Sequence, residues 1–262
     1  RLPIIAYPTT SGYAMIGNLF NGFAHIFSGL GLINQPGIRR FVVIPLAINI
    51  LLFDGASWYL FSKLDGWIGA LITDFHGWLD WLETLLSWLL WPLFTVMILL
   101  VIFYTFSLLA NLIAAPFNSL LAEKIEMQLT GKAIEQSSIY PTFEMIKRTI
   151  ASEISKLFYF FKWWLLLLVL SLIPGINFAA PFLWLVFGAW MLSLEYLDYP
   201  MANHNKFFKE INQQALSRRS LSLGLGGGIL LLTSLPLINL IAMPASVAAA
   251  TRLWVNHRSD ML

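Results

Sequence analysis

The sequence predicts an all-α integral membrane protein with two long transmembrane helices, two re-entrant, membrane-inserted helical hairpins and additional amphipathic helices. Three observations carry that expectation. Of 262 residues, 58% are hydrophobic and 11% charged, against roughly 25% charged in soluble domains. Two apolar runs are long enough to cross a hydrocarbon core, and two others are broken in the middle by proline and asparagine. The mean hydropathy is +0.72. A single membrane domain over residues 1–262 is expected.

Composition also excludes functions. A net charge of +2, with the basic residues dispersed among loops, argues against nucleic acid as a partner. With no cysteine there is no disulfide, thiol nucleophile or cysteine-ligated metal. Residues 1–12, polar and carrying Pro3 and Pro8, read as a leader or appended segment outside the fold.

Along the chain, Tyr13 to Ile33 is moderately apolar and is expected to form a short helix in or against the membrane interface. The first transmembrane helix is expected over Arg39 to Phe61, because about 20 residues span a core of ~30 Å. Asp54, followed by Gly55, Ser57 and Trp58, is placed near the interface. Leu64 to Trp88 shows a helical apolar stripe opposite Asp65, Asp74, His76, Asp80 and Glu83, and is read as an amphipathic helix lying along a surface. Trp88 to Phe117 is nearly unbroken hydrophobicity, the second transmembrane helix.

Lysine and arginine counts set the orientation. The stretch Lys63 to Ser87 has one basic residue, whereas Ser119 to Leu157 has Lys124, Lys132, Lys147, Arg148 and Lys156. By the positive-inside rule residues 119–158 form a cytoplasmic helical part, including a one-sided helix from Phe143 to Leu157. The N-terminus, the basic loops and the C-terminus then face the cytoplasm of a multi-pass protein.

The two hairpins follow. Trp163 to Ile173 offers only 11 residues before Pro174-Gly175-Ile176-Asn177, an arm of roughly 16 Å. Phe178 to Tyr199 returns towards the basic residues after His204. The pattern recurs as Leu221 to Leu235, a break at Pro236-Leu237-Ile238-Asn239, and Leu240 to Trp254, a weak internal repeat. Broken helices at depth suit protein that lines a watery path. Charge counting alone equally allows four more spanning helices.

One stretch offers an oxyanion site. In Gly29-Leu-Gly-Leu-Ile-Asn-Gln-Pro-Gly-Ile-Arg-Arg40, Pro36 and Gly37 break the helical pattern just before the first transmembrane helix. A helix start collects unpaired N–H groups and the positive end of the macrodipole, and Arg39 and Arg40 add two permanent charges. By the orientation above, this site lies at the cytoplasmic mouth. The alternative is that the two arginines anchor topology. No enzyme constellation competes. His25, His76, His204 and His257 lack metal-ligand spacing, and no serine sits in a nucleophile elbow. Gly224-Leu-Gly-Gly-Gly228 lacks the Lys-Ser/Thr of a phosphate loop and is assigned to helix packing. Glu195 and Asp198 are assigned to capping or salt bridging.

These residues carry a resemblance. Gly29-Leu30 through Ile33-Asn-Gln-Pro-Gly-Ile-Arg-Arg-Phe41, Ala115-Pro-Phe-Asn118 with Leu121-Ala-Glu-Lys124, then Asp198-Tyr-Pro200 and Asn203-His204, together resemble the CysZ family of bacterial sulfate permeases. The resemblance covers about nine tenths of the chain. It implies sulfate uptake through the bacterial inner membrane for sulfur assimilation and cysteine biosynthesis, by a channel-like homo-oligomer in the lipid bilayer, without a cofactor. It also implies a sulfate site at Gly29, Leu30, Ile33, Pro36, Gly37, Arg39 and Arg40, where the anion site falls; the N–H at Ile38, at the helix start, is expected to join it as a donor. Two alternatives stay open: a less selective channel for sulfite or thiosulfate, and a membrane scaffold that moves no solute.

Overall fold

A computed structural model describes residues 12–71, 80–133 and 143–257, and among these every regular element is an α-helix. The helices are α1 (Gly12–Ile33), α2 (Arg39–Leu71), α3 (Asp80–Thr130), α4 (Phe143–Ser171), α5 (Ala180–Ala202), α6 (Phe208–Ser217), α7 (Arg219–Ser234) and α8 (Pro236–His257). The all-helical expectation holds. Six of them (α1, α2, α3, α4, α5 and α8) contain stretches long and apolar enough to cross a membrane. The chain divides into two compact units, 1–42 with 118–262, and 43–117.

In the larger unit α1, α5, α7 and α8 pack together around a core that includes Ile26, Leu197, Leu225, Ile229 and Val247. Small residues make this possible. A Cβ on Gly226 would fall on the backbone of Ala189, and one on Gly224 on the backbone of Leu19, so α7 touches α5 and α1 main chain to main chain. The glycine run therefore serves packing. For the same reason α1 packs closely on α7 and α8, while Met15, Ile16, Phe20 and Phe27 stay exposed on its other face.

Two sequence boundaries shift. The one-sided helix from Phe143 and the apolar arm Trp163 to Ile173 are one helix, α4, about 44 Å long at 1.5 Å per residue. The chain changes from polar to apolar near Phe158 with neither a capping residue nor a proline, so nothing ends the helix there. The first break of the repeat is the turn Leu172 to Ala179, with Gly175 at φ +89°. The second is a single residue, Leu235, extended at φ −96°, ψ 111° because it precedes Pro236. Pro236 to Asn239 lie inside α8 rather than in a loop.

In the smaller unit, Leu64 and Ile68 of α2 pack with Ile98 and Ile102 of α3. Most other large apolar side chains here, from Val43 and Leu51 to Trp88 and Phe103, are exposed, as lipid-facing helices require. The amphipathic stripe Leu64 to Trp88 is not an element of its own. Its start continues α2 and its end opens α3, while residues 72–79, with Asp74 and His76, lie outside the described residues. Likewise α3 does not stop at Pro116 but runs to Thr130. There Gly131, at φ +70°, donates its N–H to the Met127 carbonyl at 2.8 Å and ends the helix.

Candidate functional site at the turn between the first two helices

The turn 34–38 joins α1 to α2. Three contacts fix it. Ile38 is wholly buried in the cluster that holds Leu121 and Ile125 of α3, so the apolar anchor sits at the base of α2. The Gln128 side-chain amide donates to Gln35 Oε1, tying the turn to α3. Gln35 N–H donates to the Leu32 carbonyl at 3.0 Å, closing the end of α1. Gly37, at φ +87° and exposed, supplies a left-handed step that a side chain would strain.

The sequence-predicted residues distribute as follows. Arg39 and Arg40 are both exposed at the first turn of α2. Arg39 Nε donates back to the Asn34 carbonyl, and the Asn34 side chain donates to the Leu30 carbonyl at 3.2 Å. The Arg39 guanidinium therefore stands between the carbonyl end of α1 and the N–H end of α2, on an exposed side chain. Arg40 lies over the Phe41 ring, 5.0 Å from its centroid, which holds its charge at the helix start.

The N–H groups of Ile38 and Arg39 both donate to the Gln35 carbonyl, at 3.1 and 3.3 Å. No backbone acceptor among the described residues meets the N–H of Gly37 or Arg40. Pro36 is exposed, Leu30 half-buried and Ile33 buried. Gly29 is away from the turn, on the face of α1 that meets Ala245 and Ala249 of α8. The turn and the first residues of α2 thus carry two exposed cations and two N–H donors, and the buried Ile33 and Ile38 hold the turn in place.

Other motif residues converge on the same unit. His204 Nε2 lies 2.9 Å from both carboxylate oxygens of Glu126, a residue only 1% exposed. Asn203 donates to the Ser119 carbonyl at 3.0 Å, and the His204 ring faces Trp254 at 5.7 Å. Lys156 of α4 meets Asp198 at 2.8 Å, Glu153 at 3.1 Å and Glu195 at 3.3 Å. Capping or salt bridging is what the sequence assigned to Glu195 and Asp198, whereas Gln128 and Glu126 carried no sequence signal beyond a polar residue in an apolar chain, and Gln35 stood in the motif with no role of its own.

Six helices long and apolar enough to cross a membrane, with large apolar side chains exposed along them, define a multi-pass membrane protein. A profile of the family described as Sulfate transporter CysZ/Etoposide-induced protein 2.4 matches residues 25–244. The Sulfate transporter CysZ of Pectobacterium atrosepticum is 43% identical over 242 residues, covering 92% of this chain and 86% of the relative. The chain belongs to this family.

Proposed function

We propose that the chain is a sulfate permease of a bacterial inner membrane, supplying sulfate to cysteine biosynthesis through a channel-like path. Membership of the sulfate-transporter family over nine tenths of its length carries the reading. The turn before α2 supports a matching site. In this reading Arg39 and Arg40 balance the dianion, the N–H groups of Gly37 and Arg40 replace part of its hydration, and Gly29, Leu30, Ile33, Pro36 and Ile38 shape and hold the turn. Several modest donors suit conduction, since an ion held too tightly cannot leave.

The same reading takes α2 and α3 as the full transmembrane pair and α4–α5 and α7–α8 as re-entrant hairpins. The first half of α4, from Arg148, lies at the near membrane surface, and only its last nine residues, Trp163 to Ser171, form an uncharged arm that can run deep. The 16 residues of α7 reach about 24 Å, short of a ~30 Å core. Basic residues after α3 and before α7 support a cytoplasmic position for the turn, and assembly as a homo-oligomer completes the proposal.

Radiolabelled sulfate uptake into proteoliposomes tests it. Saturable uptake that persists in excess chloride and phosphate supports a sulfate permease. Equal competition by thiosulfate and sulfite would replace it with a general oxyanion channel. No uptake by correctly inserted protein would leave a scaffold.

A further inference from the structure

A groove of about 280 Å³ opens between the first half of α4 and the start of α6, well removed in sequence from the turn at Arg39. Arg148, Ser152 and Ser155 line one side, and Phe208, Lys209 and Glu210 the other. Its walls are fixed by hydrogen bonds. The Phe208 N–H donates to Ser152 Oγ at 2.8 Å, the Phe207 N–H to Glu210 Oε2 at 3.1 Å, and Ser155 Oγ donates to the Ala151 carbonyl at 2.7 Å. Arg148 Nε meets Glu144 Oε1 at 3.3 Å at the outer lip.

The charges at this groove balance: Arg148 and Lys209 against Glu144 and Glu210. A simple anion would gain the cations but face two carboxylates, and a simple cation the reverse. A zwitterion carrying a phosphate and an ammonium a few bonds apart matches both pairs at once. The position favours a lipid as its source. Arg148 stands at the start of the apolar stretch Lys147–Ser171, and Ile150, Ile154, Leu157 and Phe158 are exposed on the same helix. Phe158 is seven residues from Ala151 of the groove wall, so the apolar stripe borders the groove directly.

We propose that the groove between α4 and α6 seats the phosphoethanolamine headgroup of an aminophospholipid, with Arg148 and Lys209 on the phosphate and Glu210 and Glu144 on the ammonium. The acyl chains lie along the apolar stripe of α4. This goes beyond sulfate transport and rests only on α4 meeting the membrane at Arg148. Phosphatidylcholine has no N–H to give the carboxylates, and phosphatidylglycerol has no cation for them.

Native mass spectrometry of the intact protein in detergent, titrated with phosphatidylethanolamine, phosphatidylglycerol and phosphatidylcholine of identical chains, tests the proposal. Wild type retains phosphatidylethanolamine about tenfold better than either other lipid, the ratio given by roughly one charge-assisted contact. Arg148→Gln lowers retention of both phosphatidylethanolamine and phosphatidylglycerol. Glu210→Gln, whose amide oxygen still accepts the Phe207 N–H, lowers phosphatidylethanolamine and raises phosphatidylglycerol. Glycerophosphoethanolamine displaces the lipid where inorganic phosphate at the same concentration does not. Equal retention of all three lipids, a wild-type preference for phosphatidylglycerol, or a phosphatidylethanolamine preference that survives both substitutions would overturn the proposal.

Discussion

Lys156→Met isolates the polar anchor of α4. The ammonium is about one tenth exposed and faces three carboxylates, of which Asp198 is one quarter exposed and Glu153 and Glu195 about half exposed. Removing one partner of a fully buried pair costs about 3–5 kcal/mol, and an exposed pair is worth about 0–1 kcal/mol. Asp198 lies between these limits and the two glutamates near the second. The expected total is about 3 kcal/mol, on the order of 100-fold in the folded to unfolded ratio. At about 2–4 °C per kcal/mol for a chain of this size, the melting midpoint falls by about 6–12 °C. Fluorescence-detected size exclusion after heating in detergent reads that shift. Asp198→Asn, which keeps an acceptor, should cost less, and Glu195→Gln about 0.5 kcal/mol, with only the last weakened further by salt. A Lys156→Met midpoint within about 1 °C of wild type would refute the reasoning, as would a Glu195→Gln shift of equal size.

Four further substitutions probe packing and a buried polar contact. Gly31→Ala meets nothing within 4 Å and should be neutral or stabilising by about 0.5–1 kcal/mol through helix propensity. Gly226→Ala forces α5 and α7 apart and should cost about 2–3 kcal/mol, and the two melting midpoints compare them directly. His204→Ala removes both 2.9 Å contacts to Glu126 and should cost about 1–3 kcal/mol, with a double-mutant cycle against Glu126→Gln showing coupling. Ile38→Ala, at a position with no exposed area, should cost about 2–5 kcal/mol and speed proteolysis within the 34–38 turn.

Much of this architecture is visible in the chain because lipid imposes long apolar runs that water-soluble folds avoid. The hairpin turn at Pro174-Gly175 and the junction at Pro236 follow from residues that cannot continue a helix. What misled was polarity. In α4 and at the ends of α2 and α3, helices continue through a change from apolar to polar sequence, and a change of solvent looks like a change of element. Pro116 likewise signals a stop that α3 ignores, because its termination is supplied at Gly131.

The turn itself was legible through Pro36, Gly37, Arg39 and Arg40, whose residue types dictate local geometry. Its tertiary supports were not. Gln35 and Gln128 are 93 residues apart in sequence, and nothing local marks either as a partner. Gly29 matched the motif as part of a turn, yet its backbone contact with Ala245 depends on a helix more than 200 residues later.

Sulfate flux through the Arg39→Gln/Arg40→Gln double variant tests the central claim most directly. Insertion and orientation are first matched to wild type through single introduced cysteines, the chain having none of its own. Loss of two charge-assisted contacts, each worth about 1.5–3 kcal/mol, predicts that saturable uptake falls by tenfold or more. Uptake at the wild-type rate in correctly oriented double variant would reduce the two arginines to topology anchors and remove the turn before α2 as the sulfate site.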